Sequence, residues 1–385
     1  MKTLKLGLLP KILIAIGLGI GAGLIAPESV ARIFVTINAI FSQFLGFIIP
    51  LIILALVTKA IADIGNRAGK MLLVTVAIAY GSTVFAGIVS YFTGATFFPS
   101  MISADTSLNS IEETAALSPF FTVNIQPLMG VMTALVLAFT LGLGLASTQN
   151  ETLMKATHGF EEIMVKTIKA AIIPLLPLYI FGIFLDMAYV GKVFSILSVF
   201  IKIIGVIFII HIGILLLQFI IAGTLTKKNP FKLLWNMLPA YFTALGTQSS
   251  AATIPVTLEQ TRKNGVSEDI AGFTVPLCAT IHMAGSTLKI VACALALMIM
   301  QEMPYDFGMF VGFICMLGIT MVAAPGVPGG AIMAALPILG SMLGFTEDAQ
   351  GLMIALYIAM DSFGTACNVT GDGAIALIVN KIFKK

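Results

Sequence analysis

Long apolar stretches recur from one end of this chain to the other, at 12–26, 34–58, 71–93, 128–147, 170–190, 194–224, 270–300 and 349–380. They constrain the fold more than any other feature, because a hydrocarbon core of roughly 30 Å is crossed by about 20 apolar residues in a helix. Lipid offers no partner to an open backbone N–H or C=O, so such stretches close their hydrogen bonds within a helix. The balance of residues agrees. Of the 385 residues 58% are hydrophobic and only 10% charged, with a mean hydropathy of +1.05, more apolar than the core of a water-soluble domain requires. The chain therefore reads as an all-α polytopic membrane protein with eight spanning helices. The first stretch reads as a helix that stays rather than a cleaved signal, since Pro27 follows Ala26 where cleavage would fall.

The net charge of +3 says little, but the placement of Lys and Arg orients the chain, because cytoplasmic loops retain basic residues. Lys2, Lys5 and Lys11 begin it; Lys59, Arg67 and Lys70 follow the second stretch, Lys155, Lys166 and Lys169 the fourth, and Lys227, Lys228 and Lys232 the sixth; Lys381, Lys384 and Lys385 end it. The segment 96–126 holds Asp105, Glu112 and Glu113 without a basic residue, and Glu302 and Asp306 mark another loop of that kind. Both termini are thus expected in the cytoplasm, with the protein multi-pass in the cell's inner membrane. Arg32 and Lys192 break the alternation.

Two further apolar segments do not read as spans. Residues 231–258 are interrupted by Pro239, Gly246, the run Thr247, Gln248, Ser249, Ser250, and Pro255, and both flanks are basic, with Lys232 before and Arg262 and Lys263 after. Residues 309–343 are broken by Ala323, Ala324 and the run PGVPGG (325–330), and their flanks, Asp306, Glu347 and Asp348, are acidic. A segment that enters and leaves on one side is re-entrant, and its polar tip is tolerable only where protein or water meets the backbone. Two such segments in corresponding positions point to a transporter site near the midplane.

The four cysteines, Cys278, Cys293, Cys315 and Cys367, lie in apolar segments without metal-type spacing and read as packing thiols. His158 falls in an amphipathic cytoplasmic stretch and His211 in an apolar span, where packing is the plainer reading. The strongest local signal is in the last stretch, where Asp361, Thr365, Asn368 and Asp372, spaced by four, three and four residues, share one helical face. A carboxylate inside a membrane helix costs about 2.5–3.5 kcal/mol on insertion scales, so two of them are expected to face a cavity and to bind something cationic.

Four runs in order, TQSSAATIPVT (247–257), ATIHMAGST (279–287), PGVPGG (325–330) and DSFGTACNVTGD (361–372), resemble the dicarboxylate/amino acid:cation symporter family of glutamate and neutral amino acid transporters. The resemblance covers essentially the whole chain and is strongest from about 230 to 385. It implies eight helices plus two opposed re-entrant hairpins and a homotrimer moving its substrate by an elevator mechanism. Residues 1–225 would form mainly the scaffold, with helices 3 and 6 travelling with the transport domain. Residues 226–385 would form that domain: hairpin 1 at about 230–260, helix 7 at 267–300, hairpin 2 at 307–343 and helix 8 at 347–383. Carried over by position, Asp361 would bind the substrate amino group and Thr365 and Asn368 its carboxylate and amine. Ser249 and Ser250, with the backbone of Val327 to Gly329, would cradle the carboxylate. Asp372 and Asn368 with the carbonyls of Cys278 and His282 resemble a first sodium site; the carbonyls of Thr280 and of 321–324 resemble a second.

The departures from the family pattern bear on the substrate. Gly364 stands where acidic amino acid transporters of the family carry an arginine, and Gln248 where the alternative arginine would be, so no guanidinium fork remains for a side-chain carboxylate. Asp361 would repel an acid lacking an amine. The expected substrate is a small neutral amino acid of the alanine, serine or threonine kind, with Ser286 as a side-chain contact. Where the glutamate transporters carry an asparagine and an aspartate, this chain has His282 and Ala284; with Ala79, Ser82 and Thr83 in the third helix, a third sodium site lacks its carboxylate. Fewer than three sodium ions per cycle are expected, with protons as the alternative coupling ion. The Lys289 ammonium, seven residues after His282 and so on nearly the same helical face, or a titrating His282 imidazole, is a candidate to fill the missing cation's place. The competing reading within transport is an acidic amino acid or dicarboxylate symporter that uses Lys289 or Gln248 in place of the arginine. Hydrolysis at Ser249 or Ser250 has no His or Lys near in sequence to support it. No enzyme activity and no nucleic-acid partner are expected; the partners are substrate, lipid and copies of the chain.

Overall fold

The computed structural model describes residues 8–65, 70–102, 117–191, 193–322, 324 and 329–383. Lys2, Lys5, Arg67, Asp105, Glu112, Glu113, Lys192, Ala323, Val327, Lys384 and Lys385, on which some expectations rest, lie outside the described residues.

The described residues form helices, joined by turns and, ahead of α4, by a non-helical segment at 117–130: α1 (Leu8–Gly23), α2 (Glu28–Gly65), α3 (Lys70–Met101), α4 (Val131–Thr148), α5 (Glu151–Thr167), α6 (Ile173–Tyr189), α7 (Val193–Thr226), α8 (Pro230–Thr247), α9 (Ser250–Lys263), α10 (Glu268–Ile281), α11 (Ala284–Met300), α12 (Phe307–Val322), α13 (Gly330–Leu343) and α14 (Glu347–Phe383). Six helical stretches among them are long and apolar enough to cross a membrane, and α1, α4, α12 and α13 contribute shorter apolar helices. The stretch expected at 170–190 is longer, because α5 runs through a π-helical turn at Ile168–Ile172 into α6. Pro174 and Pro177 begin α6; neither can donate to the preceding turn, and the ladder widens there.

Local chemistry marks the boundaries. The Asn150 side chain accepts from Leu153 N–H at the start of α5, and Asn229 accepts from Phe231 and Lys232 N–H ahead of Pro230 at the start of α8. The interrupted segments 231–258 and 309–343 are two helical hairpins, α8 with α9 and α12 with α13, whose arms pack together.

Burial separates two kinds of helix. In the apolar windows of Glu268–Met300 and Ala349–Phe383, 94% and 89% of residues are buried, against 33% in Lys70–Met101. A helix apolar all round belongs in the centre, and α11 and α14 lie there: α11 packs on α3 and α14, and α14 is bordered by α8, α9, α10 and α13. Ahead of them α1 packs on α6 and α2 on α4. Large apolar side chains such as Ile201, Ile209 and Trp235 are exposed on outer helices, which suits a lipid surround rather than water.

The helix expected as one piece at 267–300 is two. His282 (φ −96, ψ 107) and Met283 (φ −126, ψ 35) leave helical geometry between α10 and α11. The freed N–H groups find partners elsewhere: Met283 N–H donates to Thr83 Oγ1 (3.2 Å), and Gly285 and Ser286 N–H donate to Asn368 Oδ1 (2.8 and 3.3 Å). The break also removes the basis for a shared face. Lys289 Nζ donates to the Met360 carbonyl, while His282 Nδ1 meets Asp372.

Candidate functional site

The polar residues of α14 build two adjoining clusters. In the first, Asp361 is buried and its Oδ2 accepts from Gly329 N–H at 2.7 Å. Gly329 begins α13 with φ +76, a left-handed conformation that glycine adopts without a Cβ penalty. On the next residue, Ser362 Oγ accepts from Gln248 Nε2 at 3.0 Å, and Gln248 ends α8 in the same left-handed region (φ 52). The tips of both hairpins thus rest on consecutive residues of α14.

Beneath them Ser286 Oγ accepts from Tyr357 Oη–H and from Asn368 Nδ2, each at 3.0 Å. Lys289, fully buried on α11, donates from Nζ to the Met360 carbonyl at 2.8 Å. A Cβ built on Gly364 would lie 3.2 Å from that Nζ and 3.4 Å from Ser286 Oγ. The helices meet this closely because Gly285 also lacks a side chain: its Cβ would fall 2.4 Å from Cys367 Cβ and 2.7 Å from the Gly364 carbonyl.

The second cluster lies two turns further along α14. His282 Nδ1 is 2.9 Å from Asp372 Oδ1 and 3.2 Å from the Asn368 carbonyl, and its Nε2 is 3.1 Å from Ser82 Oγ. Ser82 Oγ also accepts from Gln218 Nε2 at 2.9 Å. These contacts agree with a chain of donation from Gln218 to Ser82 to His282 Nε2, and from His282 Nδ1–H to Asp372. Two oxygens remain over: Asp372 Oδ2 and Gln218 Oε1 are buried without a hydrogen-bond partner among the described residues. Gly371 lets Gln218 approach α14 beside Asp372, since a Cβ there would lie 2.7 Å from Gln218 Oε1. Unpaired buried oxygens, one of them a carboxylate, suit a hard cation such as sodium. An apolar cleft between α3, α7 and α14 ends on Ser82 and Gln218.

Of the residues singled out in the sequence, Gly329 and Asp361 are bonded to each other, Ser286 and Gly364 are neighbours, and Ser286 is bonded to Asn368. Asp372, His282 and the Asn368 carbonyl form one group, and the Cys278 carbonyl accepts from His282 N–H at 2.8 Å as α10 ends. Thr365 spends its hydroxyl on the Asp361 carbonyl of its own helix (3.3 Å). Ser249 caps α9 by accepting from Ala252 N–H, and Ser250 is buried in that first turn; Gln248 beside them bonds to Ser362 of α14. Thr280 is exposed, its hydroxyl donating to the Leu277 carbonyl, and among the described residues no hydrogen bond joins it to Met321, Val322 or Ala324. Sequence reasoning passed over Tyr357 and Gln218. Tyr357 sits one turn before Asp361 and so on its face, while Gln218 is a lone amide in an apolar span; both read singly as packing.

A family model described as the sodium:dicarboxylate symporter family matches residues 8–382. The serine/threonine transporter SstT of Acinetobacter baumannii strain AYE is 27% identical over 396 residues, covering 96% of this chain and 95% of the relative. Its counterpart from strain ATCC 17978 is 26% identical over 393 residues with the same coverage.

Proposed function

Because the chain belongs to the sodium:dicarboxylate symporter family, a multi-pass membrane transporter and not an enzyme, we propose that it is a secondary symporter for a small neutral amino acid. The substrate is of the alanine, serine or threonine kind, coupled to sodium. The observation that carries this reading is the convergence of both hairpin tips on Asp361 and Ser362, through Gly329 N–H and Gln248 Nε2. A buried carboxylate closed over from two sides is a receptor for an ammonium group shielded from water, and the neighbouring tip N–H groups suit a carboxylate. The relatives named serine/threonine transporters agree with the absence of an arginine at Gly364 and at Gln248.

In this reading α8–α9 and α12–α13 are re-entrant hairpins, the remaining helices make eight spans with both termini in the cytoplasm, and three copies assemble in the inner membrane around their N-terminal halves. Residues 226–385, with helices 3 and 6, travel as the transport domain. Asp361 receives the amino group, and Asn368, Thr365, Ser249, Ser250 and the Val327–Gly329 tip surround the carboxylate. Sodium takes the unpaired oxygen of Asp372 with the carbonyls near it, and Ala284 leaves a third sodium without its carboxylate. The test is uptake by the purified protein in proteoliposomes, with a panel of amino acids competing against labelled serine. Competition by alanine, serine and threonine and none by leucine or C4-dicarboxylates is expected; inhibition by succinate but not by serine would overturn it.

A further inference from the structure

An ammonium carries three N–H donors, and Lys289, 0% exposed, uses one of them on the Met360 carbonyl. Among the described residues Nζ has no second hydrogen-bond acceptor and no carboxylate within 4.0 Å. Asp361 acts on it electrostatically from beyond 4.0 Å, and the Phe363 ring lies 5.9 Å away. A buried charge left this way is costly unless something completes its shell. Nζ lies beside the notch left by Gly364, where a Cβ would sit 3.2 Å from Nζ and 3.4 Å from Ser286 Oγ. That notch lies one turn after Asp361 on α14, beside Asn368, which is bonded to Ser286. A substrate whose ammonium rests on Asp361 has its side chain within reach of this notch.

We infer that Lys289 is the specificity-determining residue of this site: its ammonium receives an oxygen of the substrate side chain over Gly364, with Ser286 as the second polar contact. The inference rests on Asp361 as the amino group's partner and ranks amino acids with a side-chain oxygen above alanine at that site. A hydroxyl (serine, threonine) and a carboxylate (aspartate) share that chemistry, and a methyl group (alanine) lacks it. A site built to donate to an oxygen rejects the analogue without one, because the donor is then left unpaired.

The experiment is equilibrium binding of serine, threonine, alanine and aspartate to the purified full-length protein in sodium, for wild type, K289M and K289Q. Wild type should bind at least one oxygen-bearing ligand about ten-fold tighter than alanine, as loss of a charge-assisted hydrogen bond implies. K289M should bring that ligand to within about three-fold of alanine while alanine itself holds, and K289Q, a donor without the charge, should fall between. If serine and threonine are the ligands lost, the oxygen is a hydroxyl; if aspartate, a carboxylate; either supports the assignment. A serine-to-alanine and aspartate-to-alanine ratio unchanged in K289M, or in K289Q should K289M fail to fold, overturns it. Wild type that binds alanine as tightly as all three others overturns this inference alone, whereas wild type that binds none of the four overturns the amino acid reading with it.

Discussion

His282 holds Nδ1 2.9 Å from Asp372 Oδ1 with both side chains enclosed, at the point where α10 gives way to α11. The contact ties the broken helix to α14, and through Ser82 it ties both to α3. It also divides the carboxylate: Oδ1 is committed to the imidazole, and Oδ2 has no hydrogen-bond partner among the described residues. A cation drawn to Asp372 meets one free oxygen rather than two.

Removing the ring should therefore be felt in the fold. His282→Ala leaves Asp372 Oδ1 and Ser82 Oγ each short of a partner, and an unsatisfied buried polar group costs about 1–3 kcal/mol. A lowered unfolding temperature of the detergent-purified protein, partly restored in His282→Asn, is the expected outcome. An unchanged melting curve would mean that the contact contributes nothing.

Asp361→Asn should separate binding from folding. An asparagine oxygen can still accept from Gly329 N–H, the bond Asp361 Oδ2 makes at 2.7 Å, so the hairpin tip keeps its seat. The charged partner of the substrate ammonium is gone, and deleting one member of a buried charge pair costs roughly 2–5 kcal/mol. Serine binding should fall by more than about 30-fold with the unfolding temperature little changed, measured on the same sample.

Gly364→Arg, a natural route to acidic substrates, should fail by itself. Any side chain at 364 meets Lys289 Nζ at 3.2 Å from its Cβ, and two like charges about 4 Å apart repel by roughly 4 kcal/mol at an effective dielectric of 20. The double variant Gly364→Arg, Lys289→Met removes the clash. Aspartate competition in the double variant but not in the single one is the expected result of an uptake assay.

Gly285→Ala should be among the most damaging small changes in the chain. The added carbon would fall 2.4 Å from Cys367 Cβ and 2.7 Å from the Gly364 carbonyl, so the backbones of α11 and α14 would have to part. Overpacking of this kind costs about 1–3 kcal/mol. Gly213→Ala on α7, where nothing lies within 4 Å, is the matched control and should leave the unfolding temperature where it was.

The parts of this arrangement that are legible in the sequence are those with a one-dimensional cause. Apolar runs become helices, the Pro- and Gly-broken runs at 231–258 and 309–343 become helical hairpins, and the spacing of Asp361, Asn368 and Asp372 places them along one face of α14. What stays hidden depends on neighbours distant in sequence. The break at His282–Met283 exists because Thr83 and Asn368 supply the acceptors its N–H groups need. That break turns Lys289 toward Met360 and Gly364 instead of toward His282, an outcome that helical extrapolation cannot reach. Tyr357 and Gln218 acquire meaning only once Ser286 and Ser82 are seen beside them.

The most direct test of the central claim is serine accumulation in proteoliposomes under an inward sodium gradient. Each sodium carried inward adds about 2.3 kcal/mol per 100 mV of inside-negative potential, so coupled transport lifts internal serine well above the external level. The account predicts that accumulation, its loss when sodium is equal on both sides at zero potential, and its loss in Asp361→Asn. Serine that merely equilibrates whatever the sodium gradient, or an Asp361→Asn protein that accumulates it as wild type does, would contradict it.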